Sequence, residues 1–389
     1  MNMPVSVDVT NRIMKGKNRV LTPAEIEAFG QRLEAIREEV HAKLNKEDSD
    51  YIYKVRNFVR YTEIASRGML MFGGWVPPVW LLGTAMLGVS KIVDNMELGH
   101  NVMHGQFDWL NDPSLNGAKF DWDNTCAGDD WRHSHNFMHH TYTNIVDKDR
   151  DVGYGLLRMT GEQKWTFGNL FNLPKTVALA LLFQWAVGVH DLQLADTTSG
   201  KVSFRDVARR SGPFLRKATR QVAKDYVFFP VIAGPNALPV LAGNISANLI
   251  RNVWAFAIIF CGHFTADAEM FEDNLDKETK AEWYLRQIKG SSNLTGGPIL
   301  HFMSGNLSHQ IEHHLFPDTP ANRYKEMAVK VQALCEEYGQ NYNTGSFAKQ
   351  FTEVIERIAV YSFPNPVIDA GRKVRSRLTG LLSRKTAIA

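Results

Sequence analysis

Three features of this 389-residue chain predict an all-α integral membrane protein: four transmembrane helices carrying a cytosolic helical cap around a histidine-rich site for two metals. Apolar residues gather in long uncharged runs, histidines gather in boxes with helical spacing, and no stretch alternates apolar and polar residues as a half-buried strand would. A mean hydropathy of −0.24 hides the first feature, because the runs are offset by a charged remainder.

Taken in order, Thr22-Pro23-Ala24-Glu25 reads as a capping box with proline in the first turn. Ile26, Phe29, Leu33 and Ile36 then form one stripe of an amphipathic helix. From Gly68 to Ser90 no residue is charged, and Pro77-Pro78 falls inside the run. A hairpin is expected there, with a first helix from about Tyr61 and a second running through Lys91, Asp94 and Glu97 to the first histidines. The run Thr176 to His190 has fifteen uncharged residues, short of the roughly 20 needed to cross hydrocarbon, so it should lie in the interface. Residues 226–250 and 252–266 are uncharged and long enough for two crossings, with a turn expected near Gly243/Asn244. Thr319-Pro320 should start another helix in the manner of Thr22-Pro23. The expected division is an amphipathic amino-terminal region over 1–59, a membrane catalytic domain over 60–340 and a basic cytosolic tail over 341–389.

A formal charge of +3 gives no nucleic-acid surface. Basic residues are local, at Lys15 to Arg19, Lys201 to Lys224 and Arg372 to Lys385, and they place the histidine side in the cytoplasm. Cys126, Cys261 and Cys335 lie far apart and form neither a disulfide framework nor a thiolate metal site. No apolar segment follows a basic start, so no cleaved signal peptide is expected.

Nine of the thirteen histidines carry the chemistry. His100 and His104 form H-x-x-x-H; His135, His139 and His140 form H-x-x-x-H-H; His309, His313 and His314 repeat it; and His263 ends an apolar run. Residues i and i+4 share a helix face, so each pair can clamp one space, while His140 and His314 are turned about 100 degrees from their neighbours. One metal takes four to six ligands, which makes this a site for two. Imidazole alone admits zinc, iron, copper or nickel. Only Glu97-Leu98-Gly99-His100 matches E-x-x-H, which disfavours a ferritin-like carboxylate site, and H-E-x-x-H is absent. Neutral nitrogens facing a membrane, with no nucleophile beside them, suit redox work on an apolar substrate.

The boxes resemble those of the membrane-bound fatty-acid desaturases, bacterial acyl-CoA and acyl-lipid branch. The carrying residues are Asn95-Met96-Glu97-Leu98-Gly99-His100, Trp131-Arg132, Thr141-Tyr142-Thr143-Asn144 and Gly305-Asn306-Leu307-Ser308-His309-Gln310-Ile311-Glu312-His313-His314-Leu315-Phe316-Pro317. Covering roughly 60–330, the resemblance implies a non-haem di-iron centre at the cytosolic end of four transmembrane helices in the cytoplasmic membrane. It also implies dioxygen as co-substrate and a cis double bond placed in a long-chain acyl-CoA or acyl-lipid. The implied ligands are His100, His104, His135, His139, His140, His263, His313 and His314. At the third box helical spacing favours His309, whereas alignment on the closing pair favours Gln310. Asp147, Asp149 and Asp151 after the second box, and Asn101 and Glu312 within boxes, are candidates to hold ligand rings through their free N–H. Trp109 and Trp131 are candidates to line an acyl channel. No His-Pro-Gly-Gly haem signature occurs, so electrons, ultimately from NAD(P)H, are expected through a separate ferredoxin or a flavin and iron–sulfur reductase. Two other readings stay open: a hydroxylase or alkane monooxygenase on the same scaffold, and a zinc-dependent membrane hydrolase or receptor.

Overall fold

The computed structural model describes residues 18–193, 203–273 and 277–374. Helix α1 (Pro23–His41) starts at the expected box: the Thr22 side chain accepts from the Glu25 backbone N–H, and the Glu25 carboxylate accepts from that of Thr22. Asn45 and Asp48 cap α2 (Lys46–Gly73) in the same reciprocal way. The chain reverses through 74–76 into α3 (Pro77–Val93), the hairpin that Pro77-Pro78 predicts. Gly83 lets the two helices touch, since a Cβ there would lie 3.1 Å from Met69 Cβ. Beyond Val93 the helix widens into a π-helical segment, Asp94–His100, that carries the first histidine.

Helices α4 (Asn172–Leu181) and α5 (Phe183–Asp191) bend by 96° at Leu182, so the run expected to lie in the interface is not one straight rod. Helix α6 (Phe204–Val222) is basic and amphipathic.

The turn expected at Gly243/Asn244 is not there. Helix α7 (Ala237–His263) passes through both residues, and the chain reverses earlier, around Gly234-Pro235-Asn236, where Gly234 has φ 54°. Gly243 serves contact instead: a Cβ would meet Leu70 Cδ2 at 2.8 Å. The Asn244 amide is equally engaged, donating to the Asp225 carbonyl at 2.6 Å. Among the described residues, one helical stretch, Gly234–His263, is alone long and apolar enough to cross a membrane; α4 and α5 qualify only if taken together.

The remaining helices form the cap. Helices α8 (Lys280–Lys289), α9 (Gln310–Leu315) and α10 (Tyr324–Glu337) pack on α1 through Phe29, Leu33, Ile288, Ile311, Met327 and Val331. Thr319 does not cap α10, which is entered through a 3-10 turn at Ala321–Arg323. Strands β1 (Asn293–Thr295) and β2 (Thr344–Ser346) pair in parallel, and α11 (Phe347–Tyr361) buries Val354 and Ile358 in the core that holds Phe256 and Phe260. Two expected boundaries fall inside this packed body: residue 59 lies within α2, and 344–361 packs against α7 rather than trailing as a tail. The basic residues Lys15, Lys17 and 375–385 lie outside the described residues.

Candidate metal centre

Local structure aims the histidines. The first two boxes begin on π-helical segments, Asp94–His100 and Arg132–His139, where the added residue per turn widens the spread of side chains; His104 and His140 follow at short α-helical turns. His263 ends α7, and His313 and His314 occupy the last turn of α9. Four stretches of chain thus converge.

Their nitrogens form adjoining groups, each with its ligand atoms within 4.8 Å of one another: His100, His104, His135 and His313; His139, His263 and His314; and His140 with His313 and His314. His140 lies between the first two, its ring 4.8 Å from His104 and 4.4 Å from His314. Nε2 of His100 and His135 are 3.3 Å apart, His139 and His263 3.3 Å, and His314 and His263 3.1 Å. Two nitrogens each about 2.0–2.1 Å from one metal stand roughly 2.8–3.4 Å apart at octahedral to tetrahedral angles, so these separations fit shared ions.

The donor set also fits by what it leaves unsatisfied. His104 Nε2, both nitrogens of His140 and His313 Nε2 are buried without a hydrogen-bond partner, an arrangement that is costly unless a metal takes the lone pairs. Burial, reinforced by neighbouring imidazoles, holds His104, His135, His140, His313 and His314 well below the ordinary histidine range, which keeps them neutral donors. His139 is the exception: burial lowers its pKa, but the Asp149 carboxylate outweighs that and lifts it to about 9.

Rings are fixed from behind. Nδ1–H of His139 donates to Asp149, both of whose oxygens lie at 3.0 Å; Asp149 in turn accepts from the backbone N–H groups of Asn144 and Asp151. His100 Nδ1 donates to Asn101 Oδ1 at 3.1 Å, His313 Nδ1 to the Tyr324 hydroxyl at 3.3 Å, His314 Nδ1 to Gln287 Oε1 at 3.1 Å and His263 Nδ1 to the Gly290 carbonyl at 3.4 Å. Asp149 and Asn101 therefore sit where the sequence expected ring-holding groups. Asp151 is farther, with an oxygen 3.8 Å from His135 Nδ1. Asp147 is exposed, at φ 64°, and Glu312 bonds Asn293 and Tyr342 rather than a histidine. Gln287 and Tyr324 went unnoticed in the sequence because neither stands at box spacing.

At the third box the two candidates are placed differently. His309 precedes α9, in a 3-10 turn, and its ring turns away to stack on His301 at 4.8 Å. Gln310 faces the cluster instead, its amide nitrogen 3.0 Å from His263 Nε2.

Beside the histidines lies a narrow cavity of about 70 Å³, mostly apolar, walled by Met96, Trp131, Phe183, Val187, Ala255 and Ile259 and reaching His100, His135, His139 and His263. Trp131 stacks on the His135 ring at 4.5 Å. Trp109, the other channel candidate, is partly exposed and lines none of it.

The match to known proteins agrees with this site. Residues 74–346 match the fatty acid desaturase family. An NADPH-dependent stearoyl-CoA 9-desaturase of Mycobacterium tuberculosis is 44% identical over 350 residues, covering 89% of this chain and 82% of that protein. An sn-1 linoleoyl-lipid 6-desaturase of Synechocystis is 27% identical over 314 residues, covering 77% and 85%. Human fatty acid desaturase 3 is 23% identical over 299 residues, covering 74% and 62%. With a histidine cluster of this composition beside an apolar cavity, the chain belongs to the fatty acid desaturase family and is a fatty acyl desaturase.

Proposed function

We propose that the protein introduces a cis double bond into a long-chain acyl group, bound as its coenzyme A thioester, at a non-haem di-iron centre in the cytoplasmic membrane. The observation that carries this reading is the set of adjoining imidazole groups opening on one apolar cavity. His100, His104, His135 and His313 would hold one iron, and His139, His263 and His314 the other, with His140 between them and Gln310 beside His263. When bound, the iron pair supplies the oxidising power to remove two hydrogens from adjacent methylenes while dioxygen is reduced to water with two external electrons. The chain's own residues do the rest. Met96, Phe183, Val187, Ala255 and Ile259 take up the alkyl chain and exclude water, and Trp131 buttresses His135 at the cavity wall. Asp149, Asn101, Tyr324 and Gln287 fix the tautomers so that Nε2 faces inward.

The α2–α3 hairpin, the helical run that ends at Ile232 and α7 would provide four crossings, with the histidines at their cytoplasmic end. In support, Trp75 and Trp80 tie the far ends together by donating to the Pro235 and Pro239 carbonyls. Electrons would come from NAD(P)H through a separate carrier.

Gas chromatography of fatty acids from cells expressing the protein tests the reaction: a new mono-unsaturated chain is expected, and an oxygenated product would overturn it. Purified protein should hold two irons. His139→Ala and His313→Ala should reduce turnover to background, while His309→Ala, His41→Ala and His190→Ala should keep the iron content and most of the activity.

A further inference from the structure

Desaturation consumes protons as well as electrons. Dioxygen becomes two waters by taking two hydrogens from the adjacent methylenes, two electrons from the carrier and two protons from outside the site. His100, His139 and His263, which reach the inner cavity, are buried, so those protons need a polar way through its wall. Ser134 and Asp191 line both the cavity and an open groove of about 280 Å³, whose other walls include Asp129, Asp130, His133 and Arg210. We propose that Asp191 is a proton-relay residue, whose carboxyl takes protons from the groove and passes them through the Ser134 hydroxyl into the cavity. The proposal rests on the acyl-desaturase reading of that cavity.

The relay is built by α5 and the second box. Phe183, Val187 and Asp191 follow at i, i+4 spacing on one face of α5, so the two apolar wall residues lead to a carboxyl where the wall meets the groove. That carboxyl is buried, and accepts from the Cys126 thiol at 2.6 Å and from the Ser134 hydroxyl. The Ser134 hydroxyl also reaches the Trp131 carbonyl at 3.3 Å. A hydroxyl that donates and accepts can hand a proton on without ionising. Beyond it, the cavity of about 70 Å³ exceeds the roughly 10–15 Å³ that one water needs.

The other polar groups of the wall are poor carriers. Asn95, Asn124 and Asn252 present amides, and Arg251 does not release its proton. Burial keeps the Tyr154 phenol protonated, while Asp151 stands against ligand rings, 3.8 Å from His135 Nδ1 and 3.9 Å from His139 Nδ1.

Charged groups face Asp191 from each neighbouring segment. Asp130 and His133 lie on the stretch that carries Ser134, Asp151 and Arg150 on the loop after the second box, and His190 on α5 itself. From α6 come Arg209, Arg210 and Lys217, each engaged elsewhere. Arg209 pairs with Asp206 at 3.0 Å and Lys217 with Asp121 at 2.7 Å. Arg210 donates to the Asp191 backbone carbonyl at 3.4 Å and turns its charge on Asp130, and Arg150 donates to the His190 carbonyl at 3.3 Å. Burial, reinforced by Asp151 and Asp130, therefore outweighs the Cys126 and Ser134 hydrogen bonds and lifts the Asp191 carboxyl to about 7. A group so poised both takes up and releases protons near neutrality.

The test uses iron-loaded, full-length enzyme in detergent. Infrared spectra of the resting protein, without substrate, should show a protonated-carboxyl band that titrates at about pH 7, shifts in heavy water and is missing from Asp191→Asn. Wild-type kcat should fall as pH rises through that value, because Asp191 must hold a proton to hand one on. Asp191→Asn should lose about tenfold or more in kcat, with KM for the acyl donor unchanged and no pH limb near neutrality. Asp191→Glu should restore most of the loss, and Ser134→Ala should lower kcat while leaving the infrared band in place. Asp129→Asn, whose side chain is 91% exposed at the same groove, should match wild type throughout. Full kcat in Asp191→Asn or in Ser134→Ala, or a wild-type Asp191 that stays ionised at neutral pH, would overturn the proposal. So would a loss of kcat that only tracks lost iron or a lower melting temperature, which would make Asp191 structural. Ser134→Ala, which keeps the buried carboxyl, decides the matter should Asp191→Asn fail to fold. If wild-type enzyme yields no unsaturated chain, the desaturase reading fails, and the infrared titration still reports whether Asp191 exchanges protons with the groove.

Discussion

At the scale of single residues, the Nδ1 atoms decide how the imidazoles present themselves. Each of His100, His139, His263, His313 and His314 gives its Nδ1–H to a different acceptor, so Nε2 is left facing the shared space. Asp149 is the strongest of these acceptors, because it is charged and its own oxygens are fixed by two backbone N–H groups. Asp149→Asn should therefore weaken iron retention by about 10- to 100-fold, measured as release to a chelator, without altering the fold seen by circular dichroism. The boxes were legible in the sequence because i, i+4 spacing is a local property. Sequence distance sorts the acceptors only in part. Asn101 adjoins His100, while Asp149 lies 10 residues from His139 and Tyr324 11 from His313, so a carboxylate after a box was noticed and a tyrosine at nearly the same distance was not. Gln287, 27 residues from His314, reaches it only through the packing of α8. His309 shows the limit of spacing. It stands four residues before His313, yet a 3-10 turn precedes α9 and breaks the register that would have aligned them.

At the scale of elements, α7 links the apolar part of the molecule to the metal centre, since the helix that packs on α2 and α3 ends in His263. An uncharged run with glycine and asparagine in its middle suggested a turn there. A glycine inside a helix also permits close approach, however, and only the facing Leu70 reveals that use. Gly243→Leu should lower stability by about 1–3 kcal/mol through overpacking against α2. Thermal unfolding in detergent would show the loss, and an unchanged melting temperature would deny the tight contact. The Pro77-Pro78 reversal and the capping box of α1 were readable because proline and capping chemistry act within a few residues.

At the scale of the whole molecule, three distant stretches meet at Glu97: the Tyr51 hydroxyl of α2 donates to it at 2.6 Å and the Asn306 amide at 2.9 Å. Burial outweighs both donors and raises its pKa to about 8, from an ordinary value near 4.5. A raised folded-state pKa means that the native state holds a proton the unfolded state has released. Its stabilisation is thus complete below about pH 4.5 and is lost as pH rises through about 8, by up to about 1.4 kcal/mol per pH unit. Chemical unfolding between pH 5 and 8 should show this decline, and Glu97→Gln should flatten it.

The buried, partnerless nitrogens of His104, His140 and His313 carry a consequence for the cell. If the proposed irons are what these nitrogens bind, a chain without them keeps the nitrogens desolvated and unsatisfied, so the empty protein is the weaker fold, and metal binding to the native state alone restores the difference. Iron starvation should then deplete the polypeptide itself through proteolysis, rather than leave a stock of idle enzyme. The capacity to make unsaturated lipid would follow the nutritional iron of the organism through protein abundance as well as through catalysis.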